Sequence, residues 1–187
     1  MGINEYFAET ASLLKACAEA NLAPRIDEAI RQIAAALKGD RCVLVCGNGG
    51  SASDAMHIAG ELVGRYLKER RALKAIALSA DPAVLTALGN DYGYEHVFSR
   101  QVEALAETGG IFIGLSTSGN SPNVVKACEM AKHLAMYTIA ITGQGGGKLK
   151  GVADILIDVP SKATPRIQEA HLCIYHYICE QVEAALA

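Results

Sequence analysis

The sequence predicts a doubly wound α/β fold: a five-stranded parallel sheet flanked by helices, preceded by two N-terminal helices and closed by a long C-terminal one. Three observations predict it. Five short runs, CVLVC (42–46), KAIALS (74–79), IFIGL (111–115), YTIAIT (137–142) and DILIDV (154–159), are near-continuously apolar, as strands covered on both faces are. Segments with 3.6-residue apolar spacing separate them, and that alternation builds a parallel sheet. The turns after the first and third runs, Gly47-Asn48-Gly49-Gly50-Ser51 and Ser116-Thr117-Ser118-Gly119-Asn120-Ser121, open directly into helices.

With 187 residues, 51% of them apolar, the chain suits one domain over 1–187, with a helical pair at 1–40 and the α/β core and last helix at 41–187. Ile3, Phe7, Ala11, Leu14 and Ala18 share helical spacing, as do Ile26, Ala29, Ile30, Ile33 and Leu37, with Pro24 in a first turn. These stripes can cover the sheet or bury against another subunit. A short helix is expected over Pro82–Leu88, a loop over Gly89–Gly93, and a helix over Glu95–Glu107 with Val97, Val102, Leu105 and Ala106 inward. Another helix runs from Pro122 to His133, with Ser121 as its N-cap. The loop Gly143–Gly147 is either a plain turn or a backbone contact for a ligand. The final helix spans Pro165–Leu186 with Thr164 as N-cap; Gln168 and His176 lie eight apart on one broad face, and His171 lies on a neighbouring one.

A net charge of −3 gives no reason to expect a nucleic-acid partner, and Lys68-Glu69-Arg70-Arg71 reads as a solvated helix end. No apolar run reaches the length of a membrane span, and MGINEYFAET lacks a secretory pattern, so a cytoplasmic protein is expected. The six cysteines lie in apolar periodic segments without a CxxC pair and read as small buried hydrophobes.

The first turn, through Asn48, Gly49, Gly50 and Ser51, places free N–H groups and the positive end of a helix dipole in one space, which suits an anion. His57 and Glu61, at i and i+4, point from one face of the same helix. The hydroxyls of Ser116, Thr117, Ser118 and Ser121 sit at a second helix start and can wrap a phosphate without Lys or Arg; the competing reading is a turn with a cap. If the two helices meet, His57, Glu61, Gln168 and His176 make an N/O set acceptable to zinc or a similar ion. His96 and His133 read as surface residues. Gly47-x-Gly49-x-x-Ala52 matches the dinucleotide fingerprint, but the acidic residue expected at the end of the second strand is missing. Gly-Lys-Ser/Thr occurs nowhere, against a P-loop NTPase.

GNGGSASDAMHIAGELVGRY (47–66), GNDYG (89–93), LSTSGNSPNVVKA (115–127) and RIQEAHLCIYH (166–176) together resemble the phosphoheptose isomerase family of sugar isomerase (SIS) domains, over essentially the whole chain. The resemblance implies a homotetramer with active sites at subunit interfaces. It implies conversion of sedoheptulose 7-phosphate to D-glycero-D-manno-heptose 7-phosphate, an entry step to the heptose of lipopolysaccharide or other surface glycans. Substrate contacts are implied at Asn48, Gly49, Gly50, Glu61, Arg65, Asn90, Asp91, Ser116, Thr117, Ser118, Ser121 and Gln168, and zinc ligands at His57, Glu61, Gln168 and His176. Where some members carry an Asp near the substrate, this chain has Thr164-Pro165.

Aldose–ketose isomerisation moves a proton between adjacent carbons through an enediol, so it needs a base at carbon and an acid at oxygen. Glu61 is the expected base and His176 its partner acid, with zinc polarising the carbonyl. A zinc-bound carboxylate is a weaker base, so Glu61 can serve as base, ligand or both in turn. Two rivals stand beside this reading. One is a non-catalytic SIS regulator of the DnaA initiator-associating type, which acts through protein contacts; the other is a dinucleotide-dependent oxidoreductase, which leaves the last helix without chemistry.

Overall fold

The computed structural model describes residues 2–187. The chain runs α1 (Ile3–Glu19), α2 (Ala23–Lys38), β1 (Val43–Cys46), α3 (Gly50–Val63), β2 (Ala75–Ala77), α4 (Pro82–Tyr92), α5 (Ser99–Leu105), β3 (Ile111–Ser116), α6 (Pro122–His133), β4 (Tyr137–Thr142), β5 (Ile155–Asp158) and α7 (Thr164–Leu186). Short 3-10 helices at Tyr94–His96 and Gly147–Gly151 complete it. The strands form one parallel sheet in the order β2-β1-β3-β4-β5.

The continuous apolar runs of β1, β3 and β4 become strands because both faces are covered, and alternate residues feed different cores, while Ile76 of the edge strand β2 is exposed. Val43, Val45, Ile111, Ile113, Leu115, Ile139 and Ile141 pack with α2, α3 and α7. Leu44, Cys46, Phe112 and Ala140 face the other way, onto α5 and α6. Among the described residues no helix is long and apolar enough to cross a membrane.

Several boundaries differ from expectation. Gly89, Asn90, Asp91 and Tyr92 are not a loop but the last turn of α4. Asp81 caps that helix through Ala83 N and Val84 N, and the chain leaves it only at Gly93, whose φ of 87° a side chain would resist. The helix expected over Glu95–Glu107 is a 3-10 turn followed by the shorter α5, and Leu105 is exposed rather than inward. Thr164 is the first helical residue of α7, so Ala163 takes the N-cap position. Cys173 is exposed and Cys17 half-buried, while the other four cysteines are buried as expected. On α1 the stripe Ile3, Phe7, Ala11, Leu14 and Ala18 is exposed throughout, and Leu13 turns inward instead.

Candidate active site

In a sheet of this order the chain reverses its direction of winding between β1 and β3, and the crevice beyond their carboxyl ends is where such folds bind ligands. Both candidate loops lie there. After β1, Gly49 takes φ 56° and ψ −123°, a conformation only glycine adopts without strain, and α3 starts without a side-chain cap. After β3, Ser121 holds the N-cap position of α6 but does not cap it; its Oγ lies 2.9 Å from Ser116 Oγ. Two helix N-termini thus face the same crevice with N–H groups that no N-cap side chain occupies.

The loops are locked together. Asn48 and Asn123 exchange amide hydrogen bonds at 2.9 Å each way, and Tyr94 Oη donates to Asn48 Oδ1 at 3.1 Å. Ser118 Oγ accepts from Asn120 N at 3.1 Å. The 143–147 loop backs the hydroxyl loop: Gly143 N donates to Thr117 O at 3.0 Å, Leu149 N donates to Gly119 O at 3.1 Å, and any Cβ on Gly119 would strike the Gly146 carbonyl. That loop is a buttress.

Helices α3 and α7 run side by side in the same direction, Gly50 beside Gln168 and His57 beside Tyr175 and His176. His57 Nε2 lies 3.0 Å from Glu61 Oε1 and 3.4 Å from His176 Nε2. One ligand atom from each of these three side chains falls within 4.8 Å of the others, a donor set that could hold a metal ion. Two imidazoles and a carboxylate fit zinc chemically. Gln168 stands apart from this cluster, two turns or about 12 Å earlier on α7. Its Nε2 fills the space that a Cβ on Gly50 would need, 2.5 Å away.

Other expected residues lie further out. Asn90 and Asp91 bond each other at 2.7 Å on the exposed last turn of α4, and exposed Arg65 approaches Glu69 at 3.9 Å. His96 is half-buried beside Lys126 Nζ at 3.0 Å, and His133 is exposed. Lys68 to Arg71 is not a helix end, because α3 stops at Val63; Arg70 is buried against Glu183.

The structure adds residues that the sequence reading passed over. Asn123 is buried beneath the first loop. Tyr175 Oη lies 3.0 Å from His57 Nδ1 and donates to Asp54 Oδ1 at 3.4 Å. Burial pushes both the Asp54 carboxyl and the Tyr175 phenol above their ordinary pKa values. Their sequence signal was faint: Asp54 precedes His57 by one turn, and Tyr175 shares its helix face with Ile178, Cys179 and Val182, which read as core.

A family model for the SIS domain matches residues 5–143, which takes in α3, both loops and the first four strands. The chain is 51% identical over 163 residues to the phosphoheptose isomerase of Helicobacter hepaticus, covering 87% of this chain and 83% of that one. The structure of phosphoheptose isomerase from Neisseria gonorrhoeae superposes with a TM-score of 0.91 at 40% identity, over 97% of both chains. A phosphoheptose isomerase from Francisella tularensis gives 0.93 at 38% identity, over 97% and 96%. The chain belongs to the SIS domain family and, within it, to the phosphoheptose isomerase family of enzymes.

Proposed function

We propose that the protein converts sedoheptulose 7-phosphate to D-glycero-D-manno-heptose 7-phosphate, the first step toward the activated heptose of lipopolysaccharide or another surface glycan. The observation that carries this is the convergence of His57, Glu61 and His176 beside two helix N-termini without side-chain caps. The Glu61 carboxylate takes a proton from C1 of the ketose and returns it to C2. His176 carries the accompanying proton between O2 and O1, so the intermediate is an enediol and no atom is lost. Zinc would be held by His57, Glu61 and His176 and when bound would polarise the carbonyl oxygen; Gln168, two turns away in the same chain, is proposed as a fourth ligand donated by a neighbouring subunit.

The phosphate is assigned to Ser116, Thr117, Ser118 and Ser121 and the α6 N-terminus, and the sugar hydroxyls to Asn48, Gly49, Gly50, Ser51 and Gln168. Arg65, Asn90 and Asp91 are assigned to substrate as well. Their exposure supports a site completed at a subunit interface. The exposed α1 stripe supports the homotetramer that would form it. A phosphorylated sugar substrate, with neither nucleic acid nor membrane as partner, fits a cytoplasmic enzyme.

The test is to follow aldose formation from sedoheptulose 7-phosphate by NMR, with zinc, after chelation, and with Glu61→Gln. Turnover that is lost on chelation, restored by zinc and abolished in the variant supports the isomerase reaction, its metal centre and the need for Glu61. Absence of turnover from folded, zinc-loaded protein replaces the enzyme with a sugar-phosphate-binding regulator of the same family.

A further inference from the structure

The His57 ring is held from behind as well as from the front. Its Nδ1 meets Tyr175 Oη at 3.0 Å, Tyr175 is 1% exposed, and the same hydroxyl reaches Asp54 Oδ1 at 3.4 Å. A hydroxyl has one proton, and an ionised carboxylate can only accept. Asp54 Oδ2 is already buried without a partner, so giving the Tyr175 proton to His57 instead would leave the whole carboxylate unpaired. The proton therefore points to Asp54, the phenol oxygen accepts from His57, and His57 carries its own proton on Nδ1.

That polarity has a consequence at the opposite edge of the ring. Nε2 is left with a lone pair, facing the Glu61 carboxylate at 3.0 Å and His176 Nε2 at 3.4 Å. In the neutral ring this lone pair and the Glu61 carboxylate repel each other at such a distance unless a cation lies between them. The three-residue chain at the back of the ring thus favours a metal at the front.

We infer that Asp54 and Tyr175 are positioning residues that hold His57 as the Nδ1–H tautomer and so present Nε2 to the divalent cation shared with Glu61 and His176. The inference rests on the metal-centre reading above and deepens it. Outer partners of this kind fix ring orientation and ligand basicity, and losing one typically costs about 10- to 100-fold in metal affinity.

The test uses the intact protein with two variants, Tyr175→Phe, which removes one oxygen, and Asp54→Ala, which leaves Tyr175 free to donate to Nδ1. Zinc affinity is measured by competition with a chromogenic chelator, and the His57 tautomer of the metal-free protein is read by 15N NMR of histidine-labelled samples. The expected result is Nδ1–H in the wild type, a shift toward Nε2–H in Asp54→Ala, and zinc affinity about 10- to 100-fold weaker in both variants. Turnover should return at saturating zinc, which a general loss of structure would not allow. Wild-type zinc binding with both variants within about twofold overturns the chain of positioning residues alone, since the outer-partner effect would be absent. A wild type with no zinc affinity overturns the metal centre together with it. Should Tyr175→Phe fail to fold, Asp54→Ala decides by the same readings.

Discussion

Arg70 Nε and Glu183 Oε1 stand 3.2 Å apart with both side chains 2% exposed, a buried ion pair between the segment after α3 and the end of α7. Each partner is also tied to backbone. Glu183 accepts from the N–H groups of Tyr66, Leu67 and Lys68 at 2.8, 2.6 and 2.8 Å, and Arg70 donates to the carbonyls of Glu61 at 2.7 Å and Gly64 at 3.0 Å. Burial alone would raise the Glu183 carboxyl, but the three N–H groups and Arg70 outweigh it and hold its pKa below the ordinary value. The clasp therefore fastens the peptide of Glu61 itself.

Arg70→Met leaves the Glu183 charge buried with its ion partner gone, which costs about 3–5 kcal/mol where measured in other proteins. Urea unfolding at pH 7.5 should show a loss of that order, with reduced turnover because the Glu61 end of α3 loosens. A loss below about 1 kcal/mol would mean that the backbone bonds alone hold the segment.

His171 gives a pH dependence with a definite sign. It is fully buried, its Nε2 donates to Thr142 O at 3.1 Å, and burial lowers its pKa from 6.5 to about 4. Between those values the unfolded chain binds a proton that the folded protein refuses, so stability falls as pH drops from 6.5 toward 4. The loss sums to about 3 kcal/mol across that window. Denaturation midpoints at pH 7.5, 6 and 5 should decline accordingly. His171→Gln should flatten that part of the profile, and an unchanged slope would assign the acid sensitivity to other groups.

What could be read in the sequence and what could not divides along the range of the interactions. The strand runs, the helix start at Pro122 and the His57–Glu61 pair depend on local spacing, and all stand where expected, while α3 begins at Gly50, inside the stretch read as its turn. The meeting of His57 with His176 depends on two helices 119 residues apart packing in parallel; spacing offered the residues but not the encounter. Tyr175 and Asp54 stayed invisible because a buried tyrosine on an apolar face looks like core until its hydroxyl finds a partner. Arg70 was misread for the opposite reason. A basic residue in a run of charges is usually solvated, and only the far end of α7 supplies the carboxylate that makes burial tolerable. The loop read at 89–93 failed on a local conflict: Gly89 resembles a helix stop, yet the stop with positive φ is Gly93.

The hydroxyl loop makes a separable prediction about binding. Ser116 Oγ and Ser121 Oγ share one hydrogen bond at 2.9 Å, so removing both hydroxyls together leaves neither stranded. Ser116→Ala with Ser121→Ala should leave the fold and zinc affinity unchanged. It should raise KM for the phosphorylated sugar about 10- to 100-fold, from about 1.5–3 kcal/mol for a hydrogen bond to a charged group. Inhibition by inorganic phosphate should weaken in parallel. Unaltered KM and phosphate inhibition would move the phosphate to the first loop.

The last prediction concerns α1. Its inner edge is pinned to α7: Tyr6 Oη and Thr10 Oγ1 donate to the Glu169 carboxylate at 3.0 and 2.8 Å, and the Arg166 guanidinium stacks 3.4 Å over the Tyr6 ring. Its outer edge presents Ile3 and Phe7, 64% and 63% exposed, on a helix too firmly placed to fold them away. An apolar stripe on a fixed helix is stable in water only at a cost, and burying each large side chain recovers about 1.5–3 kcal/mol. Phe7→Glu puts a charge on that stripe without touching Tyr6, Thr10 or Arg166. If the stripe is the tetramer contact, light scattering should show the variant as smaller species with unchanged helix content. Turnover should fall with assembly, because Arg65, Asn90 and Asp91 would no longer be brought to the His57 cluster of another subunit. A Phe7→Glu tetramer of wild-type mass and activity would place the interface elsewhere, and dissociation with full activity would show that one chain holds a complete site.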